Sequence, residues 1–68
     1  MPRITLKAAR INAGLTQKEA AERLNVSNKT LGNWENNISK PKADKIDAIC
    51  ALYGIPYDNL IFLPQITL

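Results

Sequence analysis

Asn25, Asn28, Asn33, Asn36 and Asn37 share one stretch of the chain with Lys29, Lys40 and Lys42. Side-chain amides both donate and accept hydrogen bonds, and ammonium groups donate with a full positive charge. Such a set can hold phosphate oxygens and read the edges of bases. Between Arg23 and Ala43 the basic residues are Arg23, Lys29, Lys40 and Lys42, and the one acid is Glu35. The whole formal charge of +3 lies in this stretch, and the rest of the chain is neutral. Many ordinary domains carry as much charge. Its concentration beside five amides is the informative feature.

Catalysis has little to work with. There is no histidine, and the single cysteine, Cys50, falls on an apolar stripe with no base to activate it. No glycine-rich phosphate loop and no carboxylate pair in a cleft-forming context are visible. Without histidine a Cys/His zinc site has no ligand set, and one cysteine excludes both a four-thiolate site and an internal disulfide. The expectation is a non-enzyme with no cofactor, no metal and no small-molecule ligand. No apolar run approaches the ~20 residues of a membrane span. The start, Met1-Pro2-Arg3-Ile4-Thr5, lacks the charged-then-apolar pattern of a leader. A lone cysteine suits a reducing compartment. A cytoplasmic protein, in bacterial cytosol or nucleoid, is expected.

The elements that must position these side chains are helical. A chain of 68 residues makes one small domain, whose core supplies no more than ~3–5 kcal/mol of net stability. Thr5 can cap a first helix from Leu6 to about Asn12, with Leu6, Ala9 and Ala13 inward and Gly14 ending it. Thr16-Gln17-Lys18-Glu19 is a capping box for a second helix running to about Leu24, with Ala20, Ala21 and Leu24 inward. Asn25 tolerates the left-handed backbone of a tight turn. Ser27 caps a third helix to about Asn36, with Val26, Leu31 and Trp34 inward. Asn28, Lys29, Gly32 and Asn33 point away from that face, and the Asn36-Asn37 pair closes the helix. Pro41 forbids a continuous helix through Ser39-Lys40-Pro41-Lys42. A fourth helix spans Ala43 to Tyr53 on the stripe Ile46, Ile49, Cys50 and Tyr53, and Gly54 ends it. Pro56 suits the start of a last short helix, Tyr57 to about Phe62, with Leu60 and Ile61 inward and Pro64 stopping it.

Gln17 to Asn36 satisfies several demands at once: small Ala21 at a helix crossing, Asn25 in the sharp turn, and apolar residues at each position that must bury. The chain resembles the Cro/CI-type helix-turn-helix family (XRE family), the phage-repressor-like DNA-binding domains. The resemblance is carried by Ala13-Gly14-Leu15-Thr16-Gln17-Lys18-Glu19-Ala20-Ala21, then Val26-Ser27, Trp34-Glu35-Asn36 and Pro41. The stretch Ile46 to Leu60, with Gly54 and Ile55, also matches. In all it covers about residues 5 to 62. It implies an all-α, compact five-helix bundle of lambda-repressor-like form that binds operator DNA, usually as a symmetric dimer. Asn25 and Asn37 depart from the glycine frequent in the family, and either can adopt the same backbone. Gly32, inside the third helix, costs about 1 kcal/mol of helix propensity against Ala.

A helix of this kind fits the major groove with its N-terminal residues at the base edges. The expected base readers are Ser27, Asn28, Lys29 and Asn33. The expected phosphate contacts are Thr16 and Gln17 at the start of the second helix, with Asn36, Ser39, Lys40 and Lys42 after the third. The resemblance further implies a structural ion pair between Arg10 and Glu35, which would brace the reading helix and cancel a carboxylate that repels DNA. Residues 1–63 form the domain, and 64–68 a tail. The apolar run from Leu60 onward suggests a homodimer contact through 60–68, and hence a palindromic operator.

Plainer roles stay open. Lys29, Lys40 and Lys42 also serve as solvated charges, Asn28 and Asn33 as exposed helix polars, and Asn36 and Asn37 as turn formers. Two functional classes follow. One is a sequence-specific transcriptional regulator, a repressor of phage or mobile-element type. The other is an antitoxin-like or antirepressor module that keeps the fold and binds protein.

Overall fold

The computed structural model of the protein describes residues 3–61. The order is β1 (Ile4–Thr5), α1 (Leu6–Asn12), α2 (Gln17–Leu24), α3 (Asn28–Glu35), α4 (Ala43–Tyr53), a 3-10 turn (Tyr57–Asn59) and β2 (Leu60–Ile61). The helix starts follow their hydroxyl caps. Thr5 Oγ1 accepts from the Ala8 N–H at 3.1 Å. Thr16 Oγ1 accepts from the Glu19 N–H at 3.1 Å, while Glu19 Oε1 accepts from the Thr16 N–H at 2.9 Å. Ser27 Oγ accepts from the Thr30 N–H at 3.0 Å. Each bond satisfies a donor that the first helical turn leaves without an internal partner.

The four helices also end alike. Each reaches one left-handed residue: Gly14 (φ 77°), Asn25 (φ 60°), Asn37 (φ 60°) and Gly54 (φ 66°). An apolar residue follows in each case, and its N–H turns back to a carbonyl five residues earlier. These bonds are Leu15 to Arg10 at 3.2 Å, Val26 to Ala21 at 3.0 Å, Ile38 to Asn33 at 2.9 Å and Ile55 to Cys50 at 3.1 Å. This is the Schellman closure, in which the apolar residue usually packs back on the helix it ends. Leu15, Val26 and Ile55 do pack against the core. Ile38 does not: it is 71% exposed.

The core is Leu6, Ala9, Ala20, Ala21, Leu24, Leu31, Trp34, Ile49, Tyr53 and Leu60. Leu31 and Ile49 are fully enclosed. The alanines of α2 allow α3 to approach closely, so α2 and α3 form the helix-turn-helix pair. Lys45 Nζ donates to the Leu24 carbonyl at 2.8 Å, tying α4 to the end of α2.

The structure departs from the sequence expectation at two places. Among the described residues no fifth α-helix follows Pro56. The 3-10 turn is followed by extended backbone, and β2 pairs with β1 in parallel, Ile4 with Leu60 and Thr5 with Ile61. A helix of about six residues is marginal in water. Pairing instead satisfies backbone groups at both strands and still buries Leu60. Phe62, Pro64 and the tail lie outside the described residues. Ala13, expected on the inner face of α1, is exposed, because α1 has ended at Asn12 and the chain is already turning into Gly14.

Candidate nucleic-acid interface

Helix α3 divides sharply by exposure. Leu31 and Trp34 are buried and anchor it. Ser27, Asn28 and Lys29 are exposed at its N-terminal end, and Gly32 and Asn33 are half-buried one turn on. Asn28, Lys29 and Asn33 thus lie on the side that the core does not use. Ser27 is more committed than its position suggests. Its oxygen accepts the Thr30 N–H, and its hydroxyl donates to Thr30 Oγ1 at 2.9 Å. The two hydroxyls share this bond, which leaves one hydrogen between them for an outside group. Sequence reasoning passed over Thr30, although its spacing of three from a serine cap marks the position.

Glu35 is drawn inward. Arg10 Nε donates to Glu35 Oε2 at 2.7 Å, with side-chain exposures of 8% and 3%. Arg10 Nη2 reaches Glu35 Oε1 at 3.4 Å, and Arg10 Nη1 donates to the Leu15 carbonyl at 2.9 Å. The only acid between Arg23 and Ala43 is therefore neutralised and sealed. The surface of that stretch presents Arg23, Lys29, Lys40 and Lys42, all exposed.

Gln17, the first residue of α2, is half-buried and faces the same carboxylate. Its Nε2 donates to Glu35 Oε1 at 3.2 Å. The amide lies over Gly32, where a β-carbon would meet Gln17 Nε2 at 3.5 Å, an ordinary contact. Nothing in the local sequence signals this strut, since its two ends belong to different helices. It leaves the second Nε2 hydrogen and the backbone N–H of the helix start for an outside anion. Thr16 next to it has its hydroxyl turned to the Glu19 carboxylate. The backbone N–H of Thr16, then its hydroxyl, hold that carboxyl below its ordinary pKa, with Arg23 adding a little.

Asn36, Ser39, Lys40 and Lys42 are exposed along the loop that leaves α3. That loop is tied to the helix: the Ile38 and Ser39 N–H groups both reach the Asn33 carbonyl, at 2.9 and 3.4 Å. Lys40 also rims a shallow groove with Arg3, Pro41, Ile46, Tyr57 and Leu60. Behind the site, the Tyr53 hydroxyl is buried with no hydrogen-bond partner among the described residues. Burial first, and then the Glu35 charge, push its pKa up to about 12, against a smaller opposing effect of Arg10.

Among the described residues no cluster of metal-ligating side chains occurs, and no helix is long and apolar enough to cross a membrane. The family model described as "Helix-turn-helix" matches residues 6–60. The chain is also similar to an HTH-type transcriptional regulator, ImmR, of Bacillus subtilis (strain 168). Identity is 45% over 56 residues, which is 82% of this chain and 44% of the relative. The chain thus spans less than half the length of that curated relative. No solved structure matches significantly.

Proposed function

The chain belongs to the helix-turn-helix family, and from that premise we propose that it is a sequence-specific regulator of transcription, a repressor of phage or mobile-element type, acting on double-stranded DNA. The observation that supports this best is the withdrawal of Glu35 into its pair with Arg10. It leaves the stretch from Arg23 to Ala43 with asparagine amides and lysines around a capped helix and no exposed acid of its own, with the exposed Asp58 in the groove beside Lys40. That stretch is suited to a polyanion, and helix α3 is of the size that enters the major groove.

In this reading Asn28, Lys29 and Asn33 meet base edges, and Ser27 lies at the margin. Asn pairs with adenine N6 and N7, and Lys favours guanine O6 and N7, each worth ~1–3 kcal/mol of discrimination. Thr16 and Gln17 hold one phosphate at the start of α2. Asn36, Ser39, Lys40 and Lys42 hold the flanking backbone. Arg10 and Glu35 touch no DNA and set the tilt of α3. One such helix covers few base pairs, so two copies on a palindromic operator, joined through 60–68, complete the site. Residues 1–63 form the DNA-binding domain, 64–68 belong to the dimer contact, and the protein works in the bacterial cytoplasm.

Anisotropy titration of a duplex across salt concentrations tests the reading. Phosphate neutralisation requires log affinity to fall with log salt by about 0.9 per contacted phosphate. A flat response overturns the proposal. Operators selected from a random pool then separate the roles: Asn33→Ala relaxes base preference at one position, and Lys40→Ala weakens binding to all sequences alike. Identical behaviour of the two variants refutes the division between readers and grippers.

A further inference from the structure

Ile38 has no account in the fold. Three of the four helix closures place their apolar residue against the core, as this motif usually does. At the end of α3 the same backbone arrangement holds, with Asn37 N–H to the Trp34 carbonyl at 3.2 Å and Ile38 N–H to the Asn33 carbonyl at 2.9 Å. The surface on which Ile38 would pack is formed by Gly32 and Asn33, which offer no apolar side chain. Ile38 is left 71% exposed, more than Ile11 or Tyr57. Its backbone is nonetheless fixed on both sides, by the left-handed Asn37 and by the Ser39 N–H to the Asn33 carbonyl. An apolar side chain on a hydrogen-bonded backbone is displayed between Asn33 and Lys40.

What covers it follows from its neighbours. From Asn36 to Ala43 the chain carries Lys40 and Lys42 and no acid. A surface laid on this loop is therefore anionic at its edge and apolar where it meets Ile38. A DNA strand has that character, with phosphates alternating with deoxyribose carbons. We propose that Ile38 packs against the deoxyribose of the strand whose phosphates Lys40 and Lys42 hold. This rests on the DNA-binding reading above. The contact adds affinity without charge and without choice of base. It also seats the loop, and through the Asn33 carbonyl it bears on the reading helix.

The test compares wild type, Ile38→Ser, Ile38→Leu and Lys40→Ala on a selected operator and on an unrelated duplex, each across salt. Ile38→Ser is expected to weaken binding about three- to tenfold on both duplexes, from the loss of about half the burial of one apolar side chain. The salt slope stays at the wild-type value, the melting temperature is unchanged, and Ile38→Leu restores the affinity. Lys40→Ala instead lowers the slope by about 0.9. If wild type binds DNA and Ile38→Ser binds equally well, the inference is overturned while the functional reading stands. A loss confined to the operator moves Ile38 onto a base and also overturns it. A change in oligomeric state at protein concentrations where wild type is unaltered means that a second copy covers the residue, which overturns it as well. A wild type that binds neither duplex sinks the functional reading itself, and this inference with it.

Discussion

Replacing Arg10 by Met should abolish most of the stability of this domain. The side chains of Arg10 and Glu35 are 8% and 3% exposed, so both charges have left water. Arg10 supplies two of the three hydrogen bonds reaching the Glu35 carboxylate, and Gln17 supplies the third. Arg10 also holds the Leu15 carbonyl. Arg10→Met leaves a sealed carboxylate with one neutral donor, and breaking a buried pair from one side costs ~3–5 kcal/mol. A domain of this size has about that much in total. The variant should therefore be largely unfolded at room temperature, read as lost helical ellipticity and loss of a cooperative thermal transition. Replacing both partners, Arg10→Met with Glu35→Leu, removes the orphaned charge and should recover folding, since apolar substitutes for a buried pair are often neutral or stabilising. The recovered double variant should still bind DNA less well, because Gln17 has lost the acceptor that positions it. A cooperative melt for Arg10→Met within a few degrees of wild type would refute the reasoning.

Other substitutions probe separate parts. Gly32→Ala should raise stability by about 1 kcal/mol in urea denaturation, because the added methyl meets Gln17 at ordinary contact distance; Gly32→Leu should displace the Gln17 amide and lose that gain. Tyr53 has a folded pKa raised to about 12 from 10.0. The neutral phenol is favoured in the fold, so stability is intact below pH 10 and falls as pH rises toward 12. Tyr53→Phe should flatten that alkaline decline relative to wild type, and parallel pH–stability curves for the two would count against it. Glu19 is shifted the other way, below its ordinary 4.5. Its contribution is present above that value and is lost as pH falls through the lowered folded pKa, so Glu19→Gln should lose less stability on acidification than wild type, as followed by melting temperature. Thr16→Ala should cost ~1 kcal/mol from the same cap, and no change in its denaturation midpoint would show that the box carries no weight.

Much of this was legible along the chain because its causes are local. The Thr16–Glu19 box spans four residues, and the left-handed turns need only the Gly or Asn that occupies them. The Ile49 and Tyr53 stripe is a matter of helical spacing. What escaped is what depends on partners far away in sequence. Leu60-Ile61 reads as the inner side of a short helix, and pairing with Ile4–Thr5 at the other end of the domain makes it a strand instead. The bond from the Gln17 amide to Glu35 at 3.2 Å joins residues of different helices and leaves no trace in the local sequence. The bond from Lys45 to the last carbonyl of α2 likewise joins distant residues and has no local signature. Gly32 remains a cost within α3 that the structure does not explain, because a β-carbon there would meet the Gln17 amide only at ordinary contact distance.

The pairing of β1 with β2 has a consequence for the order of assembly. Contacts between α2 and α3 close over a short turn and cost little chain entropy, whereas Ile4 meets Leu60 only after nearly the whole domain has been brought together. The helix-turn-helix pair should therefore form early and the two short strands last. In native-state hydrogen exchange the strand amides should open first, at free energies well below global unfolding, while those of Leu24 and Leu31 persist. If the strands prove as protected as α2 and α3, they belong to the same cooperative unit and close no later than the helices do. A protein arranged in this order can loosen the pairing of Ile4–Thr5 with Leu60–Ile61 without disturbing the packing of α2 on α3.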